Sequence, residues 1–292
     1  MSVIKFPYIA GIMSSRSRRH AKTVAFVNAA NITNTNLITA IDTFFITIDS
    51  VINKCEYIKF DITDLTGGTN SQRLSQMKWN AVNPVDSDSA YRSIYINAPL
   101  ANTNGITFDG ISQYENTKCT PSNCTRITSA VTSLMRSNKW ISGYGSIQGG
   151  AVGTGNCCTV LSEVWGGDYN LFGINTDGQG AVAYQAADGI SKNSLTTAYR
   201  LTYGANIIRR NNVFIISIGR QSNGNLTNQA LYRGCWNNLG TEAGFANCRM
   251  SGEIFGAFAS ISEISLVENA LNDFNKEVEL IFGLTVGTRS NY

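Results

Sequence analysis

The chain has 292 residues, of which 43% are hydrophobic and only 15% charged, with a net charge of +3. Such a length supports a large core, while so small a positive excess gives a nucleic-acid-binding reading no footing in charge alone. The polar residues are mainly Asn, Thr, Ser and Gly, and 31 Asn against four Pro suit many turns and side-chain-to-backbone hydrogen bonds better than a helical bundle.

Residues 1–30 begin with an apolar stretch, Val3 to Met13, and continue into "SSRSRRHAK". The apolar part precedes the basic part, which is the wrong order for a secretory signal, and no run reaches the roughly 18 apolar residues of a membrane span. A reducing compartment and free thiols are therefore expected for the seven cysteines, and the Asn-x-Ser/Thr triplets at Asn31, Asn123 and Asn225 carry little weight as glycosylation sites. Ile4, Phe6, Tyr8 and Ile9 cannot form a core alone and are too apolar for a solvated tail. Followed by Arg16, Arg18, Arg19 and Lys22, they read as a docking segment that orders on an acidic protein groove. A mobile tail is the plainer alternative, and nucleic acid suits the four charges less well than a groove does. His20, the only histidine, reads as a solvated tail residue.

From Thr35 the apolar residues Leu37, Ile41, Phe44, Ile48 and Val51 recur at helical spacing. The threonines around them lower intrinsic propensity, so this helix depends on packing its stripe, either in a homo-oligomer or against the chain's own sandwich. "EYIKFDIT", residues 56–63, alternates like a strand, "GGTNSQR" turns the chain, and residues 64–103 read as mostly irregular. From Asn104 onward short apolar or alternating runs such as "NKWISGYGSI", "YNLFGINT" and "NVFIISIG" are punctuated by Asp-Gly and Asn-Gly pairs, predicting an antiparallel sandwich or barrel. At the end, Ser265 and Glu268 form a capping box for a helix over 265–282, with the stripe Val267, Leu271, Phe274, Val278 and Ile281 and a stop at Gly283.

The order of these features resembles a group of tailed-bacteriophage virion proteins with a concanavalin A-like, LamG-type jelly-roll domain, common in phages of Bacteroidota-type hosts. The segments that carry the resemblance are "KWNAVNPVDSDSAYR", "NGITFDGISQYENTKCTPS", "IGRQSNGNLTNQALYRG" and "FGAFASISEISLVENALNDFNKEVELIFGL". The resemblance implies a mainly β protein, a concanavalin A-like antiparallel β-sandwich with an N-terminal and a C-terminal helix. Its parts would be a docking segment (1–30), a helix and irregular lead-in (31–103), and the sandwich with its C-terminal helix (104–292). It further implies a non-enzymatic component of the virion, assembled in the host cytoplasm as a head or tail fibre, appendage or decoration. Its partners would be other virion proteins, with no nucleic acid and no membrane.

Two further readings stay open. Trp165, Asp168, Tyr169 and Asn170, and separately Trp236 with Asn237, mix aromatic faces with polar groups as sugar sites do, although aromatic residues in strands are more often core. A host surface glycan is then a partner. A cryptic glycan hydrolase needs two carboxylates across one bond. The glucanase pattern Glu-x-Asp-x-x-Glu is absent, and only folding could pair acids such as Asp109, Glu115, Glu163, Glu242 and Glu253. No cofactor or metal is expected. Cys119, Cys124, Cys157 and Cys158 do not form paired Cys-x-x-Cys knuckles, and "GGAVGTGN" lacks the Lys-Ser/Thr of a phosphate loop. Asp86 and Asp88 read as hydrogen-bond acceptors for local backbone amides rather than calcium ligands.

Overall fold

The computed structural model describes residues 19–127, 131–142, 148–151, 158–165, 169–176, 182–185, 194–201, 206–211, 213–218 and 227–290, with backbone only in the strands between 131 and 185. In chain order the elements are α1 (Ala21–Ala30), α2 (Thr35–Thr47), β1 (Cys55–Lys59), α3 (Asn70–Met77), β2 (Ile94–Ile96), β3 (Leu100–Asn102), β4 (Gly105–Thr107) and β5 (Tyr114–Asn116). Then follow β6 (Val131–Ser142), β7 (Gln148–Ala151), β8 (Cys158–Trp165), β9 (Tyr169–Thr176), β10 (Val182–Gln185), β11 (Ser194–Arg200), β12 (Asn206–Arg210) and β13 (Val213–Ile218). β14 (Tyr232–Arg233), β15 (Trp236–Asn238), β16 (Thr241–Ala243), β17 (Asn247–Gly256) and α4 (Ile261–Phe282) complete the chain.

The protein is mainly β. One sheet runs β13-β12-β11-β6-β17-β4-β3, with β1 sharing an edge of β17 with β4; the other runs β10-β9-β8-β7-β14-β5-β2, with β15 and β16 attached at β7. Neighbours are antiparallel except β15 beside β7. Strands therefore reach back into residues 55–102, where the sequence suggests little beyond one strand and a lead-in. The short helix α3 also lies there, opened by a Thr69–Gln72 capping box.

The first sheet is covered on both faces, which explains why β1 is buried at every position instead of alternating between core and solvent. Its Ile58, with Ile254 of β17, packs under α1, α2 and α4. Tyr57 and Phe255 turn the other way and pack with Ile106, Phe108 and Met250 beside Leu231 and Cys119. Two glycines permit this closeness. Gly105 (φ 121°) lies against the Met250 carbonyl, and Gly234 (φ 83°) against the Phe108 ring, so a side chain at either would clash.

Phe60 is the hub under the helices, with ring centroids of Phe26, Phe44, Phe45 and Phe274 at 5.3, 4.9, 5.7 and 4.7 Å. The stripe Leu37, Ile41, Phe44, Ile48, Val51 is entirely buried in this cluster. It is a packing stripe covered by the chain itself, so it gives no reason for self-association.

Three expectations are corrected near the helix ends. His20 is no solvated tail residue: it caps α1 by accepting from Lys22 N (3.2 Å), stacks on Phe45 (5.6 Å) and places Nε2 2.9 Å from Asp49. Residues 20–30 thus belong to the folded body, with Phe26, Val27 and Ala30 in its core. Of the nominated docking residues, Arg19 is exposed, whereas Ile4, Phe6, Tyr8, Ile9, Arg16 and Arg18 lie outside the described residues.

The third correction concerns α4, which begins a turn earlier than expected. Ser260 caps it, and Glu263 accepts from Ala259 N and pairs with Lys54 at 2.6 Å. The upstream Ser-x-x-Glu pattern takes the cap. Ser265 and Glu268 instead receive Arg209, at 3.0 and 3.3 Å. After Gly283 (φ 61°) the chain folds back, and Glu279 accepts from Gly287 N and from both Ser290 N and Oγ. Buried Arg289 donates to Asn275, Thr103 O and Ser251 O at 3.0, 2.9 and 3.1 Å.

Phe60→Ala should remove about 3 to 5 kcal/mol of stability through loss of apolar contact and a residual cavity. Urea titration should show this as a lowered midpoint. Light scattering should give the same mass for the native chain and this variant, because the helical stripe is covered internally.

Candidate functional site

Charged side chains meet in the space between the sheets. Arg233 on β14 grips Asp61 through both terminal nitrogens, with Nη1 to Oδ1 at 2.9 Å, and Nη1 also reaches Glu115 at 2.5 Å. Lys59 on β1 sits 2.7 Å from the other Glu115 oxygen and donates to Ser93 at 2.8 Å. The register sets this up, since Arg233 lies opposite Glu115 in one sheet and Lys59 opposite Glu253 in the other. All five charged groups are sealed from solvent.

Their ionisation follows from who is next to whom. Burial opposes charge on Glu115, yet Arg233 and Lys59 outweigh it and hold the carboxyl below its ordinary range. Burial pulls the Lys59 ammonium down despite Glu115 and Asp61. Glu253 is pushed up to about 8 by burial and by the nearby Glu115 and Asp61, against the pull of Arg233. Its Oε2 stands 2.8 Å from Arg233 Nε, but not along the line a hydrogen bond requires. With Glu253 neutral, two cations face two anions. Folding has therefore brought Glu115 and Glu253 together, as a hydrolase reading would ask, but around an arginine and out of reach of any substrate.

An open polar site among the described residues lies elsewhere. A polar cleft of about 330 Å³ is enclosed by the start of α1, the loop of residues 80–91 and the turn of residues 123–126. Its floor is fixed by Asn80, whose amide oxygen accepts from Ile58 N and Val82 N (both 3.1 Å) and whose nitrogen donates to Glu56 O and Ala90 O. Glu56, buried at the base, accepts from Arg126 N, from Thr125 Oγ1 (3.4 Å) and from Arg126 Nη1 (3.1 Å). Lys22 enters from α1 and donates to Val82 O at 2.6 Å. Burial, then Arg126, lowers its pKa. Tyr91, held at φ 60°, also lines the cleft, and its hydroxyl donates to Cys124 Sγ at 3.7 Å.

The outer loop is clamped by ion pairs. Asp86 pairs with Lys78 and Arg92 at 2.9 and 2.8 Å, and Asp88 with Arg92 and Lys118 at 2.9 and 3.3 Å. This corrects the expectation that these aspartates serve backbone amides. Asp109 does take that role, accepting from Ile111, Ser112 and Gln113 N.

Of the nominated sugar residues, Trp236 and Asn237 are not among the described residues that line this cleft. Asn237 is committed to a turn, donating to Ala230 O and accepting from Gly240 N, both at 2.8 Å, and Trp236 beside it is half-buried. Trp165 and Tyr169 are paired across β8 and β9, but their side chains and that of Asn170 lie outside the described residues, as does all of Asp168. Among the described residues no group of three His, Cys, Asp or Glu could hold a metal. Cys55, Cys119, Cys124, Cys235 and Cys248 are buried free thiols. No described helix is long and apolar enough to cross a membrane.

No family model matches the chain, and no curated protein matches it. Among solved structures it is similar to the CBM40 of the Ruminococcus gnavus IT-sialidase bound to alpha2,3 sialyllactose, at 12% identity and TM-score 0.38 over 48% of this chain and 83% of that one. It is similar to domain 4 of AbnA, a GH43 extracellular arabinanase from Geobacillus stearothermophilus in complex with arabinotriose, at 13% identity and TM-score 0.41 over 74% and 98%. A mutant NanB sialidase from Streptococcus pneumoniae matches at 13% identity and TM-score 0.35 over 48% of this chain, which spans about a quarter (24%) of NanB. Such partial likenesses assign neither a fold family nor a ligand.

Glu253 makes a pH-dependent prediction. Its folded value of about 8 exceeds the ordinary 4.5, so the folded state holds a proton that the unfolded state releases, and this contribution to stability is lost as pH rises between those values. The melting temperature of the native chain should fall from pH 5 to pH 8. Glu253→Gln, which keeps the shape of the protonated carboxyl, should flatten that slope and melt higher than the native chain at pH 8.

Proposed function

We propose that the chain is a non-enzymatic binding and display module of a tailed-bacteriophage virion, its two sheets forming a concanavalin A-like jelly roll. The observation that carries the reading is how the described polar groups are disposed. The carboxylates that folding gathers are sealed between the sheets around Arg233, and Glu56 at the base of the cleft is saturated with donors. The cleft is otherwise lined by amide, hydroxyl and cationic residues and by Tyr91, which can hold a ligand reversibly. The order of sequence segments shared with virion sandwich proteins supports the setting. The apolar and basic residues ahead of His20 support attachment to another virion protein. A carbohydrate-binding, host-recognition role is the second reading, favoured by the hydrogen-bonding walls of the same cleft.

Since residues 20–30 are part of the core, the proposed anchor comprises residues 1–18. Deleting them should leave a soluble protein with an unchanged melting temperature that no longer enters virions. Normal occupancy of the truncated protein in purified particles would remove the anchor assignment. A glycan array with the full chain tests the second reading, which requires binding that host polysaccharide in solution competes away.

A further inference from the structure

The polar cleft carries an uncompensated positive charge. Lys22 and Arg126 bring two cations to it, and Glu56, the sole carboxylate among its described lining residues, balances one. Glu56 has nothing further to give, because Arg126 N and Thr125 Oγ1 occupy one oxygen and Arg126 Nη1 the other. The acids on the adjoining loop are spent as well: Asp86 and Asp88 are neutralised by Lys78, Arg92 and Lys118.

The two cations are held in one place at a cost. Lys22 is partly desolvated and feels Arg126, and both effects disfavour its charge. A neutral sugar would relieve neither effect, whereas an anion seated between the cations would relieve the repulsion and replace lost hydration with charge-assisted hydrogen bonds. Among the described residues Lys22 Nζ makes a single hydrogen bond, to Val82 O, and the Arg126 side chain engages only Glu56. Both therefore keep free donors. Around them Asn83, Ser89 and Asn123 offer neutral partners for hydroxyl groups, and a volume of about 330 Å³ accommodates roughly one or two sugar rings, at the small end of ligand sites.

We infer that the cleft binds an acidic sugar, a monocarboxylate of the uronic acid type, with its carboxylate between Lys22 and Arg126 and its hydroxyls against Asn83, Ser89 and Asn123. This inference rests on the reading of the chain as a binding module and names the ligand class for that module.

Isothermal titration of the full chain with glucuronic acid, glucose and inorganic phosphate provides the test. Glucuronic acid should bind roughly tenfold or more tightly than glucose, as expected for a charge-assisted bond. Arg126→Gln should abolish that preference. That variant also leaves buried Glu56 without its cation and can unfold the site, so Lys22→Gln, with an unchanged melting temperature, is the second variant and should lose the preference as well. Equal affinity for glucose and glucuronic acid would overturn the acidic class while leaving a glycan-binding role intact. Phosphate binding more tightly than glucuronic acid would overturn the sugar class. Failure of the full chain to bind any sugar, by titration or on the array, would overturn the glycan reading together with this inference.

Discussion

Arg233 is the constraint on which the rest of the structure depends. A guanidinium sealed between two sheets must have its charge met, because an isolated buried ion is prohibitively costly, and among the described residues Asp61, Glu115 and Glu253 stand close to it. Each partner lies on a different segment: Asp61 just after β1, Glu115 on β5, Glu253 on β17. A register slip of one residue in β5 would turn the Glu115 carboxylate to the opposite face and leave the arginine short of an anion. The cluster contributes less to net stability than to uniqueness, since ion pairs in such places recover little more than they lose in hydration. Apolar packing supplies the stability. The ions decide which arrangement of strands can be packed.

That choice propagates to the cleft through β1. Lys59 faces the cluster and holds Ser93 at 2.8 Å, while Ser93 N donates to Lys78 O, closing the loop between them. Glu56, at the irregular start of the same strand, roots Arg126 and the 123–126 turn. Asn80 fastens the loop to Glu56 O and Ile58 N. The positions of Lys22, Arg126 and the amide walls are thus set by a short strand whose own register is fixed by charges on its inner side.

Much of the helical and strand content was legible, because it follows from periodicities that a chain must display if it buries one face. The stripe of α2, the stripe of α4 and the run of β1 are of this kind. Helix α1 is obscured in the sequence by the basic residues before it, which have the composition of a tail, although "AFVNAA" contains good helix formers and His20 stands where a cap is needed. In α3 the pattern Thr69 to Gln72 is a capping box in plain view, but the helix is only eight residues long and mostly polar, leaving little stripe to read. The start of α4 was misplaced because two Ser-x-x-Glu patterns occur close together, and packing of Glu268 against Arg209 chose between them. The site was less legible still. Asp61 and Arg233 are separated by 172 positions, and the cleft draws on residues 22, 56, 80–91 and 123–126. No local spacing announces such a grouping. Asn237 shows how one residue type serves two ends, since the amide that suits a sugar site is here hydrogen-bonded within a turn.

One relation between the two proposed surfaces follows from the path of the chain. His20 is held by Asp42 and Phe45 of α2 and by Asp49 beyond it, so the segment preceding Arg19 departs from a fixed point on the helical layer. Lys22 lies two residues further on, already in the wall of the cleft. The proposed anchor and the proposed ligand site are therefore joined through the first turn of α1. Attachment and ligand binding are then expected to influence one another through α1, because the His20 cap and the Lys22 side chain belong to the same first turn of helix.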